Sequence, residues 1–183
     1  VNLARHAAYG WIQCSESIVN EFEPGDKRFG ATFFQDGEKL TIGLEEVVYS
    51  AEMALAYGPT PHDVKKGNVF SGDARQIGIN TIVMRYAEVI LFRAEALNEL
   101  GRTNEAIPLL KRIRDRPGLE TKTAYSQDEM RKAIRHERRV EFAFEDVRGW
   151  DIIRWGIQEE TLGKLPNSKW QKGKCELWPL PIF

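Results

Sequence analysis

Two carboxylates four residues apart, Glu137 and Glu141, are the residues of this chain that most resemble catalytic groups. Side chains at positions i and i+4 share one face of a helix, so the two acids can converge. A pair of carboxylates flanking the scissile bond is what glycoside hydrolysis requires. The neighbouring Arg138 and Arg139 would hold both acids ionised, which is the wrong state for a general acid. We therefore expect no catalytic role for this pair.

The surrounding stretch, IRHERRVEFAFEDVRGWDIIRWG (134–156), interleaves charges with large aromatic residues, a mixture that also occurs on nucleic-acid-binding surfaces. Its five arginines are matched by five acids. A phosphate-binding face needs uncompensated positive charge. The whole chain has a net charge of −1 and a pI of about 6.4. These balances argue against nucleic acid as a partner.

A buried network of ion pairs is the interpretation of this stretch that we favour. Glu137 falls within the apolar stripe of its helix, where an unpaired charge is strongly destabilising. Arginine can bind such a carboxylate through two hydrogen bonds, and Arg85 or Arg154 is the partner that we expect. Trp150 and Trp155 are then expected in the core.

No other residues of the chain have a spacing typical of catalysis or cofactor binding. The histidines are scattered, and no pattern of ligands indicates zinc. Phosphate-binding loops, dinucleotide fingerprints and nucleophile elbows are not found. We therefore expect neither a cofactor nor a metal. Cys14 and Cys175 could form one disulfide or remain two free thiols.

Residues 1–80 predict a loop-rich segment, because glycine and proline recur throughout it. Within it, residues 15–23 predict a short helix. Residues 31–34 and 45–50 have the β-branched and aromatic content of short strands. Residues 56–79 predict a long loop, and such loops in compact domains are usually functional or mobile.

Residues 81–156 predict a helical core. Its first helix, over 83–101, has apolar residues at three- and four-residue steps and ends at Gly101. Ala94 and Ala106 lie twelve residues apart across that turn. Small residues at this spacing let two antiparallel helices approach closely, as in a tetratricopeptide repeat.

The second helix of this core is predicted over 105–116, with Thr103 or Asn104 as its cap. Pro108 removes one backbone hydrogen bond, so we expect this helix to start late or to bend.

The third helix is predicted to begin with a capping box formed by Ser126 and Glu129 and to run to about Glu145. A short helix or a helical turn is predicted over 150–156, followed by an irregular tail over 157–183.

The 183 residues are enough for a single domain with a substantial core, and we predict one domain over 1–183. There is no run of about 18 apolar residues and no visible signal peptide. The chain begins at Val1 rather than at a methionine. We interpret it as a piece of a longer protein or as a processed form.

Several blocks of sequence, in order, resemble the C-terminal part of the SusD/RagB family. The blocks are EFEPGDKRF (21–29), RYAE (85–88), AEALN (94–98), ERRVEFAFEDVR (137–148), WDIIRWG (150–156) and PLP (179–181). Lys27 occupies a position in the first block where the family commonly has proline. The match extends over most of the chain.

The resemblance implies a mainly all-α protein with tetratricopeptide-like helical hairpins, long irregular loops and a few short strands. Members of the family are non-catalytic lipoproteins at the surface of the outer membrane, where they capture oligosaccharides or other nutrients. They act with a TonB-dependent outer-membrane transporter as partner. Family members are much longer, so this chain would lack the N-terminal half and its lipid anchor.

Ligand-binding residues are predicted from side-chain chemistry, because the family's binding loops vary. Sugars bind through exposed aromatic faces and planar polar side chains. The candidates are Tyr9 and Trp11 near the N-terminus, Tyr57, His62 and Asp63 in the long loop, and Trp170 in the tail. Each could instead take part in ordinary loop packing.

Two other functions are compatible with the sequence. A tetratricopeptide-type adaptor would bind a protein or peptide in a concave groove and would have no aromatic platform. A carbohydrate-active enzyme would need a carboxylate pair lining an open cleft.

Overall fold

The structure is a computed structural model that describes residues 13–42, 45–67, 82–165 and 167–175. This part of the chain is mainly helical, as predicted, and contains one two-stranded sheet. The helices are α1 (Glu16–Val19), α2 (Arg28–Thr32), α3 (Ala51–Tyr57), α4 (Tyr86–Glu99), α5 (Thr103–Asp115), α6 (Gln127–Glu141), α7 (Val147–Arg154) and α8 (Gln158–Thr161). The strands are β1 (Lys39–Ile42) and β2 (Glu45–Val48).

The chain divides into two compact units, Val1–Glu141 and Phe142–Phe183. In the described ranges, every helix is too short or too polar to cross a membrane. Both cysteines are free thiols, Cys14 buried and Cys175 exposed.

The core of the first unit is formed by α4, α5 and α6, which all pack against one another. Ala94 on α4 and Ala106 on α5 are fully buried, which confirms the close approach predicted from their size. On α6, Met130 and Ile134 are buried one turn apart. These residues follow the 3.6-residue period of an amphipathic helix.

The turn between α4 and α5 is closed by backbone hydrogen bonds around Gly101. This glycine has a φ of 75°, a left-handed conformation that is costly for residues with a Cβ atom. The Arg102 amide donates to the Leu97 carbonyl at 2.8 Å, and the Gly101 amide donates to Asn98 at 3.0 Å. This pattern is the Schellman motif, which satisfies carbonyls at the end of a helix.

The predicted start of α5 was wrong in two respects. Thr103 is the first residue of the helix rather than its cap, and its hydroxyl donates to the side chain of Asn98 at 2.8 Å. Pro108 lies inside α5 and does not delay its start. Packing against α4 and α6 offsets the loss of one backbone bond.

The capping box of α6 is confirmed. The Ser126 amide donates to the Glu129 carboxylate at 2.8 Å, and the Glu129 amide donates to the Ser126 hydroxyl at 3.3 Å. The helix ends at Glu141 rather than near Glu145. Phe144 and Asp146 have φ values of 61° and 57°, so the chain leaves the helical conformation there.

Residues 31–34 do not form the predicted strand. Ala31 and Thr32 belong to α2, and Phe33 makes an isolated bridge with Val64. The helical turn places the rings of Phe29 and Phe33 on one side, and both contact Phe22, at centroid distances of 5.6 and 5.2 Å. Tertiary packing therefore outweighs the strand propensity of these residues.

The β1–β2 hairpin confirms the predicted strand at residues 45–50, and its register pairs Leu40 with Val47. Helix α3 was not predicted. The Ser50 hydroxyl accepts from the Met53 amide and caps this helix. The ring of Tyr49 stacks on Phe34 at 5.3 Å, which joins the hairpin to the residues after α2.

In the second unit, α7 confirms the helix predicted over 150–156. The prediction that Trp150 is a core residue was wrong, since 60% of it is exposed. Trp155 is half-buried, and the Arg154 guanidinium lies 4.7 Å from its ring. Arg154 also donates to Asp151 at 2.8 Å within the same helix.

Candidate functional site

The charged stretch on α6 forms a buried cluster of ion pairs, as the sequence predicted. Glu137 is fully buried and accepts from Arg28 at 2.5 Å and from Arg114 at 3.1 Å. The expected partners, Arg85 and Arg154, were wrong for this residue. Arg28 comes from α2 and Arg114 from the last turn of α5, so the acid joins three helices.

Glu141, one turn further along α6, is surrounded by three arginines. It accepts from Arg28 at 3.0 Å, Arg85 at 2.8 Å and Arg116 at 2.5 Å. Burial alone would raise the pKa of this carboxyl, but the hydrogen bonds from Arg85, Arg116 and Arg28 lower it below its ordinary value. An acid held ionised in this way cannot donate a proton near neutral pH.

The segment before α2 supplies further partners for α6. Both nitrogens of His136 face acids of this segment, Nδ1 with Glu21 at 2.9 Å and Nε2 with Glu23 at 3.3 Å. The hydrogen bond with Glu21, together with the charges of Glu21, Glu137 and Glu23, raises the pKa of His136. The EFEPGDKRF block therefore anchors the N-terminal segment to the helical core.

Tyr57, predicted to lie in a loop, is the last residue of α3, whereas His62 and Asp63 lie in the loop after this helix. That loop is fixed by several hydrogen bonds. The Thr60 hydroxyl donates to the Cys14 carbonyl at 3.1 Å, and the Tyr49 hydroxyl to the Pro61 carbonyl at 3.3 Å. Further along, the Lys65 amide donates to the Thr32 carbonyl at 2.8 Å. Side chains on this loop are therefore held on an ordered backbone.

His62 is half-buried and is held by the fold rather than freely displayed. Its Nδ1 lies 3.0 Å from the Phe34 carbonyl. Its ring packs edge-on against Phe29 at 5.2 Å and lies 5.9 Å from Phe33.

Asp63 is also half-buried, and its backbone accepts from the Phe34 amide at 3.0 Å. Burial raises the pKa of its carboxyl, and a hydrogen bond from Tyr49 opposes that shift in part. The carboxyl is therefore less readily ionised than an ordinary aspartate.

Tyr57, immediately before this loop, is highly accessible, with 76% of the residue exposed. It ends α3, and its backbone carbonyl accepts from the side-chain amide of Gln13. Gln13 also forms an isolated antiparallel bridge with Asp63. Gln13 therefore contacts Tyr57 through its side chain and Asp63 through its backbone.

Three other residues were predicted as ligand-binding, Tyr9, Trp11 and Trp170. Tyr9 and Trp11 lie outside the described residues. Trp170 is half-buried in the second unit, and its amide donates to the Ser168 hydroxyl at 3.2 Å. Among the described residues, no group of three or more histidines, cysteines and acids is arranged to hold a metal.

Sequence reasoning missed Gln13 as a member of the candidate site. Its planar amide is a side chain of the type that binds sugar hydroxyls, and it follows Trp11 by two positions. The nearness of Gln13 to Trp11 in the sequence was a signal that could have identified Gln13 as a candidate. The contact with Tyr57, 44 residues away, was not predictable from local pattern.

Comparisons with known proteins agree on one family. A family model described as "SusD family" matches residues 12–174. A SusD-like protein P2 from Formosa agariphila is 36% identical over 121 residues, which cover 60% of this chain and 24% of the relative.

Solved structures show the same fold. A SusD-like protein from Bacteroides fragilis has a TM-score of 0.67 at 26% identity, over 81% of this chain and 36% of that chain. A protein described as a laminarin-binding SusD-like protein has a TM-score of 0.61 at 25% identity, over 90% of this chain and 34% of that chain. The chain thus spans about a quarter to a third of the length of these proteins.

Proposed function

The chain belongs to the SusD family, and on this premise we propose that it binds carbohydrate through the surface formed by Tyr57, Gln13 and Asp63. The observation that carries the proposal is the exposed ring of Tyr57 on a backbone held by hydrogen bonds. The laminarin-binding description of one relative supports a glycan as the ligand class.

The geometry around Tyr57 suits a sugar ring in two ways. An exposed aromatic face can cover the apolar C–H face of a pyranose, and the anchored loop reduces the entropy that is lost on binding. Gln13 is an exposed residue and Asp63 a half-buried one, and their amide and carboxyl groups are proposed to bind the hydroxyl groups at the ring edge. Trp11, two residues before Gln13, and Tyr9 are proposed as additional aromatic contacts.

His62 and Trp170, which were also predicted as ligand-binding residues, have different proposed roles. His62 supports the loop by packing on Phe29, and we propose that this half-buried side chain also contacts the ligand. Trp170 is proposed as a separate ligand contact within the second unit.

The proposed biological role is nutrient capture at the outer-membrane surface and delivery to a TonB-dependent transporter. Support for this role comes from the family alone. The role is one of binding rather than catalysis, and the arginines that hold Glu141 ionised support that assignment.

Native affinity electrophoresis tests the proposal. The chain is run through gels that contain laminarin, a mannan, a xylan or amylopectin, with bovine serum albumin as the non-binding reference. Retardation by one of these polysaccharides relative to the reference is the expected result. Equal mobility in every gel would remove the support for glycan binding and favour a non-sugar nutrient or a peptide ligand.

A further inference from the structure

A pocket with a volume of about 610 Å³ lies in the first unit, at a place that the proposed Tyr57 surface does not include. It is bounded by the end of α5, the connection over 116–126 and the outward face of α6. Pockets that bind small molecules typically have volumes of about 300–1,000 Å³.

The wall of this pocket is built around Arg114. Its guanidinium donates to Glu23 at 2.6 Å and, from two nitrogens, to the Glu120 carbonyl at 3.0 and 2.7 Å. Gly118, with a φ of 88°, turns the chain so that the Leu119 amide reaches the Arg114 carbonyl at 2.9 Å. These hydrogen bonds hold the connection against α5.

Most charges that line the pocket are paired within the protein. Glu23 pairs with Arg114 and with His136, and Lys122 lies 3.6 Å from Glu129. These groups are engaged with one another and have little residual attraction for a charged ligand.

Two further charged groups line the pocket, the carboxylate of Glu120 and the ammonium of Lys132. Neither forms an ion pair or a side-chain hydrogen bond within the ranges that the structure describes. One negative and one positive group leave the pocket without a net preference for ions of either sign. They offer hydrogen-bond acceptors on one residue and donors on the other.

An aromatic wall and a small residue complete the pocket. Tyr125 is half-buried, and its hydroxyl accepts from the Lys122 amide at 3.3 Å, which fixes the ring. Ala133, a small residue on α6, also lines the pocket. The Thr121 hydroxyl oxygen is buried and has no hydrogen-bond partner in the part of the chain that the structure describes. A fixed aromatic ring among balanced donors and acceptors matches the surface of a neutral sugar.

We propose that this pocket is a second saccharide-binding site, which accepts a single sugar residue or the end of a short oligosaccharide. The ring of Tyr125 contacts the sugar face, and Glu120 and Lys132 hydrogen-bond to its hydroxyls. The choice of a sugar rests on the proposed carbohydrate-binding function.

A titration followed by ¹H–¹⁵N correlation spectra tests this site residue by residue. The chain is titrated separately with laminaribiose, cellobiose, maltose and, as a zwitterionic probe, diglycine. Saturable shifts of the Thr121, Tyr125 and Ala133 amides with a disaccharide are the expected result. Tyr125→Ala should weaken the disaccharide affinity that these shifts report by about fivefold or more.

Two further variants make the result specific. Lys132→Met removes an exposed donor that has no partner in the described structure, so it should weaken the same shifts without unfolding the protein. Tyr57→Ala should leave them unchanged.

The remaining outcomes separate the two proposals. Shifts confined to residues near Tyr57 would overturn the second site and keep the proposed function. Shifts at the pocket with diglycine alone would overturn the saccharide assignment. An absence of shifts with every disaccharide would overturn the second site, and the gel experiment would then decide the proposed function independently.

Discussion

Arg28 on α2 and Glu137 on α6 form a buried ion pair at 2.5 Å, between residues 109 positions apart in the sequence. The side chain of Glu137 is fully buried, and that of Arg28 is 12% exposed. Arg28 also binds Asp26 and Glu141. Arg28 therefore connects the N-terminal segment to the helical core through two acids, Glu137 and Glu141, while Asp26 binds it within its own segment.

Replacing Arg28 with methionine should destabilise the fold by about 3–5 kcal/mol, because Glu137 would lose a buried partner. Urea denaturation followed by circular dichroism measures this change. Lys39→Met is the matched control, because Lys39 pairs with Glu46 on the surface, where both side chains are more than 60% exposed. Equal losses in the two variants would contradict the assignment of Arg28 as a buried anchor.

A double variant separates the ion pair from simple loss of packing. Arg28→Met combined with Glu137→Leu removes both charges, and it should be more stable than Arg28→Met alone. If the second change destabilised the protein further by its full single-variant cost, the two residues would not be coupled.

The stability of the first unit should depend on pH through His136. The neighbouring acids raise its pKa in the folded state, so its contribution is complete below about 6.5, the ordinary histidine value. That contribution is lost as the pH rises from there through the folded-state pKa. Denaturation midpoints of the unmodified chain and of His136→Gln should therefore converge as the pH rises over this range. A constant difference would show that protonation of His136 does not contribute.

Glu23 should make the stability of the first unit depend on pH in the acid range, in the direction opposite to His136. Its hydrogen bond from Arg114 lowers its pKa although burial opposes this shift. Its contribution is present above the ordinary glutamate value of about 4.3 and is lost as the pH falls through the lowered pKa. Glu23→Gln should flatten the acid limb of the stability curve. An acid limb that is unchanged in this variant would assign that limb to other carboxylates.

The two cysteines should differ sharply in reactivity. Cys14 is 1% exposed, and burial raises the pKa of its thiol to about 12, whereas Cys175 is exposed. Because the thiolate is the reactive form, iodoacetamide at pH 8 should alkylate Cys175 alone in the native protein and both residues in urea. Mass spectrometry of the peptides reads the result directly, and rapid native labelling of Cys14 would contradict its buried placement.

The helical core was largely predictable because it depends on local pattern. The apolar face of α4, the small residues Ala94 and Ala106 and the Ser126 capping box all act within one or two turns of helix. The ends of the elements were less predictable. Thr103 and the residues after Glu141 adopt their conformations through side-chain contacts and backbone angles that no periodicity reports.

Two of the predicted ligand-binding residues differ in their surroundings in a way that the sequence did not predict. Tyr57 was chosen as an aromatic loop residue, and it is exposed. His62 was chosen in the same way, and its ring packs against Phe29 and Phe33. The sequence carried no signal for the packing of His62, because Phe29 and Phe33 lie far from it along the chain.

The most direct test of carbohydrate binding at the Tyr57 surface is the affinity of Tyr57→Ala for whichever polysaccharide retards the unmodified chain. Tyr86→Ala is the matched control, since Tyr57 and Tyr86 are 76% and 64% exposed and each lies at one end of a helix. Isothermal titration calorimetry should show binding weakened about fivefold or more by Tyr57→Ala and unchanged by Tyr86→Ala. Equal affinities for all three proteins would contradict the assignment of Tyr57 to the binding surface.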